Sequence, residues 1–501
     1  MPPSLWDWLP EDHFARFLLD TVGALDLRAF YGSYRADGHG RAAYEPSMMV
    51  GLVLYAYATG ERSARGIERH CRDDVAYRVV TANVVPDHAT IARFLCRHEG
   101  PLGELFASVL ALCDRAGLVE SRVVAIDGTK MLANANRDRN VDYDRIAREI
   151  LAEAKATDEA EDELYGEARG DELPPELGTA EGRRAWLKRE LARERTPDGG
   201  SVADATTGGE TGRGGGHEFD AERIVARVQG RDGWLLEARR QLDRDRWASP
   251  VPVPRSRAAR LREAAQRLED ELAAEHRGNA AYEHYRVTGR ASDGRRFGKP
   301  PKPYRPPESP TGEVNLTDPD SRLMKAFRCY VQGYNAQAAV NEHQIVLAAE
   351  ISVETGDFSH LEPMVTAMLS ELEQAGVTEA PRVALADAGF WNEQHMDQVT
   401  ADHGIEVLIP PDSSKRDGPR RGWTGGRYDW MRSVLATDLG TELYRKRKQT
   451  VEPTFGHTKH NRRFERFHRR GRSAVRTEWR LITMTHNLTK LHSHQLAAIG
   501  P

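Results

Sequence analysis

The sequence predicts an α/β protein: a mixed sheet interrupted by a helical insertion and preceded by an all-α domain. Three observations carry that expectation. Residues 1–120 space their apolar positions as helices do. The run Arg122-Val-Val-Ala-Ile-Asp127 then reads as a short buried strand, and strand signals return only after about residue 325. Between them, residues 140–313 read as charged helices joined by Gly-rich and Pro-rich pieces, with no strand pattern.

Taken in order, Met48, Leu52, Tyr55 and Ala56 recur at helical spacing after Pro46, with Gly60 as the expected C-cap. Ser63 is the expected N-cap of a helix through Cys71, and Asp87 that of a helix from His88 to His98. Short helices with surface arginines (Arg62, Arg65, Arg69, Arg93) suit either a helix-turn-helix assembly that touches DNA or a plain helical bundle. The insertion opens with an acidic helical stretch at 141–195 and a Gly/Thr/Asp-rich segment at 198–217. Charged helix patterns follow at 219–245 and 255–281, then a Pro/Gly/Arg-rich stretch at 288–313. Ala258, Leu261, Ala264, Ala265, Leu268 and Leu272 give the helix at 255–281 an apolar stripe for a helical hairpin, with the Gly-rich and Pro-rich pieces as mobile connectors. Beyond it, Phe327–Val340 and Gln344–Val353 form a hairpin across Asn341-Glu342-His343. Ser359–Ala375 is a helix stopped by Gly376, Arg382–Asp387 repeats the strand-then-Asp pattern, and Ile405–Ile409 is a fifth strand. A Gly/Arg/Ser-rich loop precedes helices from about 437 to 495, where Leu481, Met484, Leu488 and Leu491 mark a core face. The domains expected are 1–120 (helical, DNA-binding), 121–139 (first part of the α/β domain), 140–313 (insertion) and 314–495 (the remainder, with basic C-terminal helices).

A chain of 501 residues is long enough for two to four units at roughly 100–200 residues each. Its longest apolar stretches, such as Met48–Tyr57, fall short of the roughly 20 residues a membrane helix needs. Met-Pro-Pro-Ser-Leu-Trp-Asp-Trp lacks the basic start and apolar run of a signal peptide. Cys71, Cys96, Cys113 and Cys329 are far apart, which argues against a zinc module or a disulfide framework. A cytoplasmic protein is expected. The net charge of −5 speaks at first against nucleic acid, but the average hides an asymmetry. Residues 151–180 carry ten acids and two bases, whereas residues 441–480 carry thirteen Lys/Arg and four Glu. Such separation suggests a basic working surface and a separate acidic segment.

The chemistry lies in an order of acids. One strand ends in Asp127, two strands and a helix follow, a further strand ends in Asp387, and the helical region after it carries Glu452. This is the order of an RNase H-like sheet. Acids at neighbouring strand ends converge, and a helix supplies a third across the gap. Clustered carboxylates repel unless cations neutralise them, so they suit hard divalent metals such as magnesium. Two metals about 4 Å apart can activate a water or a 3′-hydroxyl and stabilise the leaving oxygen of a phosphodiester. A single Asp after a strand is most often a turn residue; two in the right topological order are less readily accidental.

Seven stretches make the resemblance specific: Pro86-Asp-His-Ala-Thr-Ile-Ala-Arg-Phe94, Ala125-Ile-Asp-Gly-Thr-Lys130, Asn134-Ala-Asn136, Asn315-Leu-Thr-Asp-Pro-Asp-Ser-Arg-Leu-Met-Lys325, Gly333-Tyr-Asn-Ala-Gln337, Ala386-Asp-Ala-Gly389 and Val451-Glu-Pro-Thr-Phe-Gly-His-Thr-Lys459. Together they resemble the DDE transposases of bacterial insertion sequences, in the subgroup with an InsH-type N-terminal domain and a YREK-type signature. The likeness covers most of 44–137 and 313–492 and little of the insertion.

The resemblance implies that Asp127, Asp387 and Glu452 are the catalytic and metal-holding triad. It implies two magnesium ions, replaceable by manganese, nicking at element ends and strand transfer into target DNA, with no nucleotide cofactor and no membrane. Double-stranded DNA is the expected partner, and two ends held together require at least a dimer on DNA. Lys459, seven residues after Glu452, matches the signature lysine and can share its helix face to hold a phosphate. Tyr444 and Arg447 match the tyrosine and arginine, but Arg447 leaves four residues before Glu452 where the family has three. Lys448 fits that gap but is separated from Tyr444 by three residues instead of two, so the cation stays open. Pro453 implies a kinked helix or a helix restarting beside Glu452; a kink is favoured. Trp391 suits stacking on a flipped base or packing on its own helix. Arg462 and Arg463, in a basic segment from Arg445 to Arg480 that also holds Phe464, Phe467 and Trp479, are expected phosphate contacts. His457, His460 and His468 make no convincing zinc set; Glu393 reads as a spare carboxylate or, more often, a solvent-facing residue, and Asp318 and Asp320, just before the second strand, as turn caps in preference to braces of the sheet or of the active site. Competing readings are an inactive relic that only binds DNA and a nuclease that cuts without joining.

Overall fold

The computed structural model describes residues 4–34, 43–119, 122–165, 175–194, 231–248, 254, 256–288, 305–326, 329–413, 418–420 and 422–499. They form two compact units, Met1–Asn134 with Ser321–Pro501, and Ala135–Asp320. The expected connectors at 198–217 and most of 288–313 lie outside the described residues.

The first unit begins with helices α1 (Phe14–Ala24), α2 (Arg28–Tyr31), α3 (Pro46–Ala58), α4 (Ala64–Asp73), α5 (Val75–Val80), α6 (His88–Arg97) and α7 (Glu99–Arg115). Pro46 opens α3, where its missing N–H has no intrahelical partner to lose. From Met49 to Tyr57 every residue of α3 is buried, so it is the centre of the helical layer. The caps fall where the sequence predicts them: Ser63 Oγ accepts from the Gly66 amide at 3.3 Å and Asp87 Oδ1 from the Thr90 amide at 3.0 Å. Gly60 closes α3 at φ +91°, which a side chain would resist.

The sheet follows. Strand β1 runs Val123–Leu132; within the second unit β2 is Asn140–Asp142, followed by α8 (Tyr143–Tyr165), α9 (Ala180–Glu194), α10 (Arg231–Ala248), α11 (Arg257–Thr288) and β3 (Glu313–Asn315). Back in the first unit come β4 (Arg322–Lys325), β5 (Tyr330–Asn341), β6 (Val346–Ser352), α12 (Leu361–Gln374), β7 (Val383–Leu385), α13 (Glu393–His403) and β8 (Glu406–Leu408). The chain ends with α14 (Gly426–Ala436), α15 (Asp438–Gly456), a π-helical turn at His457–Asn461 and α16 (Arg472–Ile499).

The strand order is β4-β5-β1-β7-β8, with β6 also paired to β5. β1, β7 and β8 are parallel, while β5 is antiparallel to β1 and β6 to β5. This is an RNase H-like α/β sheet. One expectation is corrected here: β1 does not end at Asp127 but continues to Leu132, because β5 is long enough to pair with it as far as Leu132↔Gly333. Besides the charged four-residue strand β4, two strands escaped the sequence reading for a different reason. β2 and β3 are three residues each, paired through Val141↔Val314 inside the insertion, too short to show as an apolar run.

The second unit has its own core: Val141, Tyr143, Ile146 and Ala147 meet Leu187, Leu191, Leu261, Ala264, Ala265 and Leu268. The predicted stripe on 255–281 is thus the buried face of α11. Asp320 closes this unit in an ion pair with Arg267, and Asp318 is buried.

α16 braces the sheet of the first unit. Trp479 Nε1 donates to the Gln337 carbonyl at 2.9 Å, and Asn487 pairs with both backbone groups of Val346 at 2.8 Å. Leu481, Met484, Leu488 and Leu491, the predicted core face, are all buried.

Candidate active site

The register of the sheet sets the site. β1 and β7 run parallel with Ala125 opposite Leu385, so two residues further on Asp127 comes level with Asp387. Asp127 leaves the strand within the sheet; Asp387 follows the last residues of β7 and caps a short 3₁₀ turn, its Oδ1 accepting from the Gly389 amide at 2.7 Å. Burial, and then the charge of Asp387, push the Asp127 carboxyl up to about 6, against the opposing pull of Arg447 and the Gly128 amide.

α15 crosses this pair and runs through Pro453 without restarting. Proline cannot donate to the carbonyl four residues back, that of Gln449, and Gln344 Nε2 donates to it instead at 3.1 Å. The helix therefore holds Tyr444, Arg447 and Glu452 along one rigid element. Arg447 Nη1 donates to Asp127 Oδ2 at 3.0 Å, and its Nη2 is 4.0 Å from Glu452 Oε1. Arg447 is buried whereas Lys448 is exposed, so of the two candidate cations Arg447 is the one turned to the acids. Glu452 is the most open of the three acids, its side chain 57% exposed. Tyr444 is half-buried, with its hydroxyl donating to the Ala386 carbonyl at 3.4 Å beside Asp387, and burial raises its pKa.

Other expected residues lie elsewhere. Lys459 Nζ donates to Thr129 Oγ1 at 2.5 Å and to the Lys130 carbonyl at 2.9 Å, tying the π-helical turn to β1. Trp391 is buried against the protein's own rings, 5.2 Å from Tyr428 and 5.9 Å from Trp423, which leaves no face for a base in this conformation. Arg462 is buried too: its guanidinium donates to Thr485 Oγ1 at 2.9 Å and to the Ile482 carbonyl at 2.7 Å, so it is a packing residue and not an open phosphate contact. Arg463 beside it is exposed. Among the N-terminal arginines Arg62 is likewise turned inward, 3.3 Å from Glu478 and 4.4 Å above the ring of Phe464.

Sequence reasoning assigned nothing to Lys130, Asn335, Gln337 or Asp357, which the fold gathers beside the acids. Two of them interrupt the alanines of β5 as Asn335-Ala336-Gln337-Ala338, a polar alternation inside a buried strand that was the available signal.

Among the described residues no three His, Cys, Asp or Glu side chains are grouped closely enough to hold a metal ion by themselves. The donor chemistry nevertheless fits magnesium. It keeps several waters and uses one or two carboxylates, and Asp127 and Asp387 are hard oxygen donors whose mutual repulsion a cation would relieve.

A family model described as Transposase domain (DUF772) matches residues 3–97, and one described as Transposase DDE domain matches residues 316–488. No curated protein and no solved structure matches the chain. Among the described residues no helix is long and apolar enough to cross a membrane. With a transposase domain at its start and a transposase DDE domain over the strands and helices that carry Asp387 and Glu452, the protein belongs to the DDE transposases.

Proposed function

We propose that the protein cuts DNA at the ends of an insertion sequence and joins those ends to target DNA, with Asp127, Asp387 and Glu452 as its catalytic acids. The observation that carries this reading is the parallel register of β1 and β7, Ala125 opposite Leu385, which brings Asp127 on β1 beside Asp387 just past the end of β7, with Arg447 linking Asp127 to Glu452 from the crossing helix. Asp127 and Asp387 would hold a magnesium ion, with Glu452 joining them; when bound, the metal lowers the pKa of an attacking water or hydroxyl and stabilises the leaving oxygen. The chain's own part is orientation. β1 fixes Asp127, the Gly389 amide turns Asp387 just past β7, and Arg447 offsets part of the rise that burial and Asp387 impose on the Asp127 carboxyl. Exposed Lys448 and Arg463 are the open members of the predicted DNA-contact set. Two ends must be held at once, so the active form is at least a dimer on DNA.

The test is cleavage of linear DNA carrying the element's ends, with magnesium or manganese. Wild type is compared with Asp127→Asn, Asp387→Asn and Glu452→Gln. We expect nicking at the ends by wild type, joining to a target when ends are paired, and variants that bind but do not cut. Cutting without joining would indicate a nuclease. Binding without cutting by wild type would indicate a relic. Cutting by Glu452→Gln would remove that residue from the triad.

A further inference from the structure

Asn335 and Gln337 are costly residues for the middle of a sheet. They flank Ala336 on β5 and are 0% and 1% exposed. A buried amide destabilises a fold unless it is hydrogen-bonded. Both spend an N–H on the same atom, Asp357 Oδ1, at 2.8 Å each. Their own carbonyl oxygens, Asn335 Oδ1 and Gln337 Oε1, have no hydrogen-bond partner. Such an arrangement is built to fix Asp357, which lies on the segment between β6 and α12.

What Asp357 faces explains the effort. Its Oδ1 is 3.7 Å from Lys130 Nζ. Lys130 pairs with Asn335 across β1 and β5, three residues beyond Asp127, and its ammonium feels the charges of Asp357, Asp127 and Asp387. Side chains alternate along a strand, so Lys130 stands with Gly128 on the face that meets Asn335, Gln337 and Asp357, opposite the face of Asp127 and Thr129. Lys459 occupies the Thr129 face and has two of its three donors committed there. Lys130 instead reaches the acids from the other face through Asp357, which lies beside Asp387: a Cβ built on Gly389 would stand 2.9 Å from Asp387 Oδ1 and 3.7 Å from Asp357 Oδ2. Asp357 Oδ1, already matched by two amides and an ammonium, suits holding a cation side chain better than binding a metal.

We propose that Lys130 contacts a phosphate of the bound DNA beside the catalytic acids, and that Asp357, held by Asn335 and Gln337, is the positioning residue for its ammonium. The proposal rests on the reading of this site as one that cleaves DNA. A lysine there would take a non-bridging oxygen, a point-charge contact with no covalent step.

The experiment measures end-DNA binding against salt, and cleavage, for the full chain and for Lys130→Met, Lys130→Arg, Asp357→Asn and the double variant Lys130→Met/Asp357→Asn. Melting curves check that each folds. Losing one phosphate contact lowers the slope of log affinity on log salt by about 0.9. We expect that drop in Lys130→Met, with a tenfold or greater loss of cleavage, and recovery of most of both in Lys130→Arg. Asp357→Asn should slow cleavage alone but add little in the Lys130→Met background. An unchanged slope and rate in Lys130→Met would overturn the phosphate contact. A full additional loss from Asp357→Asn would overturn its positioning role. If Asp127→Asn still cleaves, the reading of the acids fails instead, and the salt slope continues to test Lys130 by itself.

Discussion

Position 128 has no room for a methyl group. A Cβ built on Gly128 would stand 2.2 Å from Gln337 Nε2, 2.7 Å from Asp357 Oδ1 and 2.8 Å from Asn335 Oδ1. The glycine after Asp127 is therefore the floor of the polar cradle, and Gly128→Ala has to force apart three hydrogen-bonded groups. We expect a loss of about 1–3 kcal/mol. Gly100→Ala is the control: on α7 nothing lies within 4 Å of its Cβ, and helix propensity favours the alanine. Equal shifts in melting temperature for the two would sink the argument. Asp127 itself gives a pH prediction. Its folded pKa of about 6 lies above the ordinary 3.8, so the folded state binds the proton more tightly. The stability gained by protonation is full below about pH 3.8 and is lost as pH rises through about 6. Asp127→Asn, which cannot ionise, should therefore gain on wild type in melting temperature across that window. Magnesium should narrow the gap at pH 7 by binding folded wild type alone. A difference that stays flat with pH would mean the carboxyl is not displaced.

Pro453 raises the question of how a proline can follow an acid inside α15. The answer lies on another element. Gln344, at the β5–β6 turn with φ +61°, donates to the orphaned Gln449 carbonyl, while its own side-chain oxygen accepts from Lys490 Nζ at 2.5 Å. Gln344→Ala should cost about 1–2 kcal/mol, since the carbonyl loses this replacement donor. In a Pro453→Ala background, where the backbone N–H returns, the same change should cost clearly less; an equal cost in both backgrounds would refute the link. This contact also marks what the sequence made legible. Strands with short, mainly apolar runs (122–127, 382–387, 405–409) and helices with caps at Ser63 and Asp87 could be read, because their signals are local. Three-residue β2 and β3, the charged edge strand β4, and α14 within a Gly/Arg-rich stretch could not, because tertiary pairing or packing decides them. The same holds for the site. The Asp127–Asp387 pair follows from strand order, and Arg447 over Lys448 from which side of α15 meets the sheet. Asp357 and Lys130 meet only through a loop whose path no spacing reveals.

At the scale of the whole molecule, the basic segment from 441 to 480 reads differently from its composition. Much of its charge points inward and is matched there: Arg469 to Glu99 at 2.6 Å, Arg476 to Glu350 at 2.5 Å, and Arg480 to Glu371 at 2.6 Å. These pairs join the N-terminal helices, the sheet and α16 within one compact unit. Glu478 is the strictest case. It is fully buried, accepts from the amides of His468 at 3.0 Å and Arg469 at 2.9 Å, and lies 3.3 Å from Arg62 Nη1, which comes from the N-terminal region. Replacing it by alanine leaves a buried guanidinium without its counter-charge and two amides without an acceptor. The expected cost is about 3–5 kcal/mol, the range for breaking a buried pair from one side. Because Arg62 lies just before α4 and Glu478 lies in α16, the loss should be shared. In Glu478→Ala, amide exchange should quicken together in α4, β1 and α16, as it does when one cooperative unit is weakened. Faster exchange confined to α4 would mean that the N-terminal helices open independently of the sheet, and that the inward-facing arginines do not bind the two into one folding unit.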